Sequence, residues 1–122
     1  MHTKSKKSFK QRCASNRSSR ITLLRERLLE NILVMDGAMG TELKNRGVKI
    51  PLPLWSAEAN LVHPNIVKSI HEDYISSGAD IITTNTFRTT SWTYKKSNLS
   101  IDNAKIRAKN SLYRAVECAH KA

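Results

Sequence analysis

A chain of 122 residues, 39% hydrophobic and 25% charged, is sized for one domain and composed like a globular protein. Its longest apolar run, residues 32–35, is the size of a strand and far short of the ~20 residues of a membrane span. The net charge of +11 is local: Lys4, Lys6, Lys7, Lys10, Arg12, Arg17 and Arg20 all precede the first acidic residue, so the excess marks a tail and argues against a nucleic-acid-binding fold.

Residues 1–19 combine Lys, Arg and Ser with no apolar stripe, which predicts a disordered basic tail. Such a composition suits a solvated leader, an organelle transit peptide or a binder of acidic surfaces; without an apolar segment it is not a secretory signal. The expected location is the cytoplasm unless the tail targets an organelle. Cys13 and Cys118, the only cysteines, read as free thiols of a reducing compartment.

A helix is predicted over 20–30, with Ser19 as N-cap and Ile21, Leu24 and Leu28 on one face. Residues 32–35 are apolar at every position, as in a strand buried on both faces of a parallel sheet. Gly37 and Gly40 allow a tight turn, and a short helical turn over 41–46 ends at Gly47. Residues 48–62, with Pro51 and Pro53, read as an extended excursion. Pro64 suits the first position of a second helix, whose Ile66, Val67, Ile70 and Tyr74 share a face and which Gly78 closes. Residues 79–84 form the second predicted strand. Ser100 then caps a last helix that carries Ile101, Ala104, Ala108, Leu112, Ala115 and Ala119 at steps of three and four. Strands alternating with helices predict an α/β fold with parallel βαβ topology.

The chemistry-bearing residues gather at the carboxyl ends of the two predicted strands, where open α/β sheets bind ligands. Asp36 can accept hydrogen bonds from a substrate ammonium group, or can serve only as the Asp of an Asp-Gly turn. Thr84 and Thr86 share one face of the second strand end and Asn85 takes the other; which set faces a ligand is open, and threonines also simply suit strands. Trp55 and Glu58 lie in the proline-rich excursion, either at a site mouth or packed under a loop. His63 reads as a helix-start residue, His71 as a structural histidine, and Arg88 as either a carboxylate partner or a solvated charge. There is no Ser/His/Asp set and no Cys/His cluster, and the spacing of Gly37 and Gly40 is not a dinucleotide fingerprint.

Several ordered motifs are specific. Asp36-Gly37-Ala38-Met39-Gly40-Thr41-Glu42-Leu43, Leu54-Trp55-Ser56-Ala57-Glu58, His63-Pro64, Ile70-His71-Glu72-Asp73-Tyr74-Ile75 and the run from Gly78 to Phe87 together resemble the homocysteine-binding domain of the homocysteine S-methyltransferases, over about residues 22–121. The resemblance implies a (β/α)8 (TIM) barrel that transfers a methyl group to the sulfur of homocysteine, giving methionine. It implies zinc held by three cysteines, with S-methylmethionine, betaine or methyltetrahydrofolate as donor. Metal binding would supply the nucleophilic thiolate. By the same resemblance Asp36, Gly37 and Asn85 bind substrate.

The family's zinc cysteines fall late in the barrel, and Cys13 and Cys118 match neither of their positions. Residues 20–122 hold two of the eight βα units of a barrel, which needs roughly 200–250 residues. The expectation is therefore an amino-terminal fragment with a partial barrel, no metal ligands or catalytic residues of its own, and no activity alone. The alternatives are a non-catalytic short form acting through a partner, and the front of a cobalamin-dependent methionine synthase, whose first domain shares the barrel.

Overall fold

The computed structural model describes residues 21–122. The predicted tail, Ser19 and Cys13 lie outside the described residues. The chain divides into two units that part between Leu33 and Val34. In the first, residues 21–30 are helical (α1), and the Asn31 amide donates to the Arg27 carbonyl at 2.9 Å to extend the last turn.

The second unit is built from helices: α2 (Met39–Asn45), a 3-10 turn (Trp55–Glu58), α3 (Ala59–Val62), α4 (Pro64–Ser76), α5 (Ser91–Lys95) and α6 (Ile101–Lys121). Proline stands at the start of α4, and Ser100 caps α6 by accepting from the Asn103 amide at 3.3 Å. Gly47 after α2 and Gly78 after α4 take φ of 77° and 103°, the left-handed geometry that ends helices.

The two predicted strands meet in one isolated parallel bridge, Met35 to Ile81, and no longer ladder forms among the described residues. The Asp36 amide donates to the Ile81 carbonyl at 2.9 Å, while the Asp80 and Ile81 amides both donate to the Val34 carbonyl. Carboxylates close each end. Asp80 Oδ2 accepts from the Val34 amide at 3.0 Å, and Asp36 Oδ2 accepts from the Thr83 amide at 2.8 Å. Parallel pairs are weaker per residue than antiparallel ones and normally lie between neighbours in a covered sheet. With Val34 and Met35 exposed, side-chain acceptors take over where further ladder bonds would stand.

Two predictions need correcting. The excursion over 48–62 is not extended throughout: residues 55–62 fold into the 3-10 turn and α3. The stretch after the second strand contains α5, capped by Thr90, whose hydroxyl accepts from the Thr93 amide at 3.2 Å. Helices this short cannot hold themselves in water; burial of Ala57, Ala59 and Tyr94 holds these.

One core cluster joins Leu43 and Val48 to Ala59, Val67, Ile70 and Cys118; the other joins Ala57 and Tyr94 to Ala104 and Ala108. The inner face of α6 is Ala104, Ala108, Ser111, Ala115 and Cys118, whereas Ile101 and Leu112 are exposed. Small residues on that face let α6 approach α3, α4 and α5 closely, which large side chains would prevent.

Candidate functional site

The turn Asp36–Gly40 follows directly from the parallel bridge. Asp36 is half-buried, with Oδ2 engaged by the Thr83 amide and no hydrogen bond to Oδ1 among the described residues. Its position is thus set by the backbone, and one oxygen stays available to a donor. The negative charge reaches two neighbours on α4. Burial lowers the His71 pKa below the ordinary imidazole value, with Asp36 acting in opposition. Burial first, then Glu42 and Asp36, raise that of Tyr74.

The glycines of this turn have steric reasons. A Cβ on Gly37 would stand 2.7 Å from Tyr74 Oη, and one on Gly40 would stand 3.2 Å from the Trp55 indole. Real Cβ contacts are essentially never as short as the first, so α4 packs against the turn only because residue 37 has no side chain. Trp55 itself has φ of 49°, an uncommon backbone for a bulky residue. Its amide donates to the Pro51 carbonyl at 2.8 Å, and its ring meets Phe87 edge-on with centroids 6.4 Å apart.

Asn85 is buried. Its Nδ2 donates to the Ser56 carbonyl at 2.8 Å and to Asn60 Oδ1 at 2.9 Å, and its Oδ1 accepts from Ser56 Oγ at 2.8 Å. Asn60 Nδ2 donates to the Asn85 carbonyl and to Ser111 Oγ, which donates to the Ala57 carbonyl at 2.8 Å. Both amide hydrogens of Asn85 are therefore spent within the protein. Ser56, Asn60 and Ser111 were not singled out by sequence. A polar residue at a helical-face position, such as Ser111 among the alanines of α6, was the available signal.

The other candidates separate. Glu58 pairs with Arg107, whose Nε lies 3.1 and 3.3 Å from the two carboxylate oxygens. His63 precedes α4, and its carbonyl accepts from the Ile66 and Val67 amides. His71 is fully buried with neither ring nitrogen partnered. Thr84 and Thr86 hydroxyls lie 3.2 Å apart, on each other. Arg88 stands over Trp55 and Phe87, 5.8 Å from each ring centroid.

Among the described residues no cluster of three or more His, Cys, Asp or Glu can hold a metal. Cys118 is buried against the Pro64 carbonyl, and burial pushes its thiol up, away from the thiolate a metal requires. No helix among the described residues is long and apolar enough to cross a membrane.

Comparison with known proteins gives a consistent result. The family model described as homocysteine S-methyltransferase matches residues 33–122. The chain is 38% identical over 89 residues to homocysteine S-methyltransferase 3 of Arabidopsis thaliana, which covers 73% of this chain and 24% of that protein. It is 36% identical to homocysteine S-methyltransferase 2 of Zea mays over 74% of this chain and 25% of the relative. It is 33% identical to the selenocysteine Se-methyltransferase of Brassica oleracea var. italica, over 73% and 25%. No solved structure matches. The chain spans about a quarter of the length of these relatives. With the model match running from the bridge through the last helix, the chain belongs to the homocysteine S-methyltransferase family.

Proposed function

We propose that this chain is the substrate-holding opening segment of a domain that transfers a methyl group to the sulfur of homocysteine, giving methionine. The domain it belongs to is a (β/α)8 barrel, in which residues 32–35 and 79–84 are the first two strands. The carrying observation is the state of Asp36: fixed by the Thr83 amide, next to a glycine, with a carboxylate oxygen still open. Such an oxygen takes an ammonium group through a charge-assisted hydrogen bond, the stronger kind. Gly37 leaves the backbone beside it accessible. Asn85 serves the same site by holding the segment after the second strand against the 3-10 turn and α3. The names of the relatives, which cover thiol and selenol acceptors, support the substrate class.

Zinc would supply the thiolate in a complete enzyme. The described residues do not fit it, having no donor cluster, and no step through the metal belongs to this segment. The chain's own contribution is to hold and orient the amino-acid end, and no turnover is expected from it alone.

The test is titration of L-homocysteine into the 122-residue chain, following the Gly37 and Thr83 amide resonances. Asp36→Asn keeps an oxygen for the Thr83 amide but removes the charge. Shifts in the native chain that Asp36→Asn abolishes are expected. No shift at Gly37 or Thr83 at saturating ligand overturns the reading. Methionine formation by the purified chain would overturn the expectation of inactivity.

A further inference from the structure

Four arginines lie in the unit from Val34 onward. Arg46 pairs with Asp73, Arg107 with Glu58 and Arg114 with Glu117. Arg88 has no carboxylate partner among the described residues. Its Nη1 donates to the Pro53 carbonyl at 3.0 Å, and its Nε is shielded from solvent with no partner. Two aromatic rings flank the guanidinium, Trp55 and Phe87, set at 78° to each other. An exposed arginine with no role would be expected to extend into water; this one is held by a carbonyl and two ring faces. Phe87 is 76% exposed, so the rings form an open corner and not a closed core. Trp55 keeps its costly backbone there, and Gly40 leaves room for its indole, which connects the corner to the Asp36 turn.

We propose that Arg88, walled by Trp55 and Phe87, is an anchor for the carboxylate of a small-molecule ligand. The guanidinium fork matches a planar carboxylate, and aromatic faces on its flanks restrict the fork's orientation without neutralising it. A phosphate is held best by several cations or a nest of amides, whereas a single planar fork suits a carboxylate. The tie to Pro53 leaves donors on Nη2 free and sets the plane in advance. The corner is thus arranged for an anion that approaches with an apolar portion against Trp55 or Phe87. This inference rests on the proposed function only in the choice of probes; the carboxylate can come from the thiol substrate or from a methyl donor.

The experiment follows the Arg88 Nε–H and Trp55 indole N–H resonances of the 122-residue chain during titration. The probes are L-homocysteine, S-methyl-L-methionine and 3-aminopropane-1-thiol, the last being homocysteine without its carboxylate. At least one carboxylate probe should move both signals while the aminothiol moves neither. Arg88→Gln should weaken that probe by about tenfold or more, with Arg88→Lys intermediate. Which carboxylate moves the signals identifies the source. Unmoved signals with both carboxylates, equal response to the aminothiol, or unchanged affinity in a folded Arg88→Gln chain would each overturn the proposal. Homocysteine binding lost in Asp36→Asn, with binding of both carboxylate probes kept in Arg88→Gln, would remove the Arg88 anchor and leave the proposed function standing.

Discussion

Asn60 and Asn85 hold each other twice: Asn85 Nδ2 donates to Asn60 Oδ1, and Asn60 Nδ2 donates to the Asn85 carbonyl, both at 2.9 Å. Both residues are buried, so truncation of either leaves polar groups without partners. Asn85→Ala should destabilise the chain by about 2–4 kcal/mol, and Asn60→Ala by a similar amount. The double variant should cost less than the sum, because the shared bonds are lost once. Urea unfolding of the four chains checks this; additive losses would mean that the network does not act as a unit.

Gly37 is closed to side chains by Tyr74. Gly37→Ala should cost about 1–3 kcal/mol through overpacking against α4. Much of the clash is with the hydroxyl, so Tyr74→Phe should restore part of the loss. A thermodynamic cycle gives the coupling, and no recovery in the double variant would contradict the contact.

His71 sets a pH dependence. Its folded pKa lies below the ordinary 6.5 because burial disfavours the cation, while Asp36 pulls the other way. The unfolded chain therefore binds the proton first as pH falls below about 6.5. Stability present at neutral pH should decline below that value until the folded pKa is reached. Asp36, the charged group acting on His71, is retained in His71→Gln, which should flatten the slope between pH 7 and 5. An unchanged slope in that variant would assign the dependence elsewhere.

Cys118 is buried on α6, and burial raises its thiol pKa. In a Cys13→Ser chain, alkylation by iodoacetamide near pH 7.5 should be slow when folded and fast in denaturant. Equal rates would mean that α6 does not stay packed on α4.

The long helices were legible because their signals are local. Pro64, the spacing of Val67 and Ile70, the Ser100 cap and the terminating Gly47 and Gly78 each act within a turn or two of chain. The short elements were not legible: α3 and α5 exist through burial against α6 and not through propensity. The face of α6 was read correctly at Ala104, Ala108 and Ala115 and one position off at two others. Hydropathy favoured Leu112 and Ala119, while the structure buries Ser111 and Cys118, whose polar atoms find the Ala57 and Pro64 carbonyls.

The sequence by itself determined the family, the order of the principal helices and the place of the Asp36–Gly40 turn, since motifs and periodicities are properties of neighbouring residues. Tertiary structure alone decided what those residues meet. Asn85, read as a ligand contact, has its amide hydrogens spent on partners 25 and 29 positions away. Gly37 and Gly40 are glycines because Tyr74 and Trp55 arrive from other segments. Arg88 became distinctive only once Arg46, Arg107 and Arg114 were seen beside carboxylates and it was seen between two rings. Hydrogen bonds, steric exclusion and desolvation depend on distance in space, and a sequence records distance along the chain.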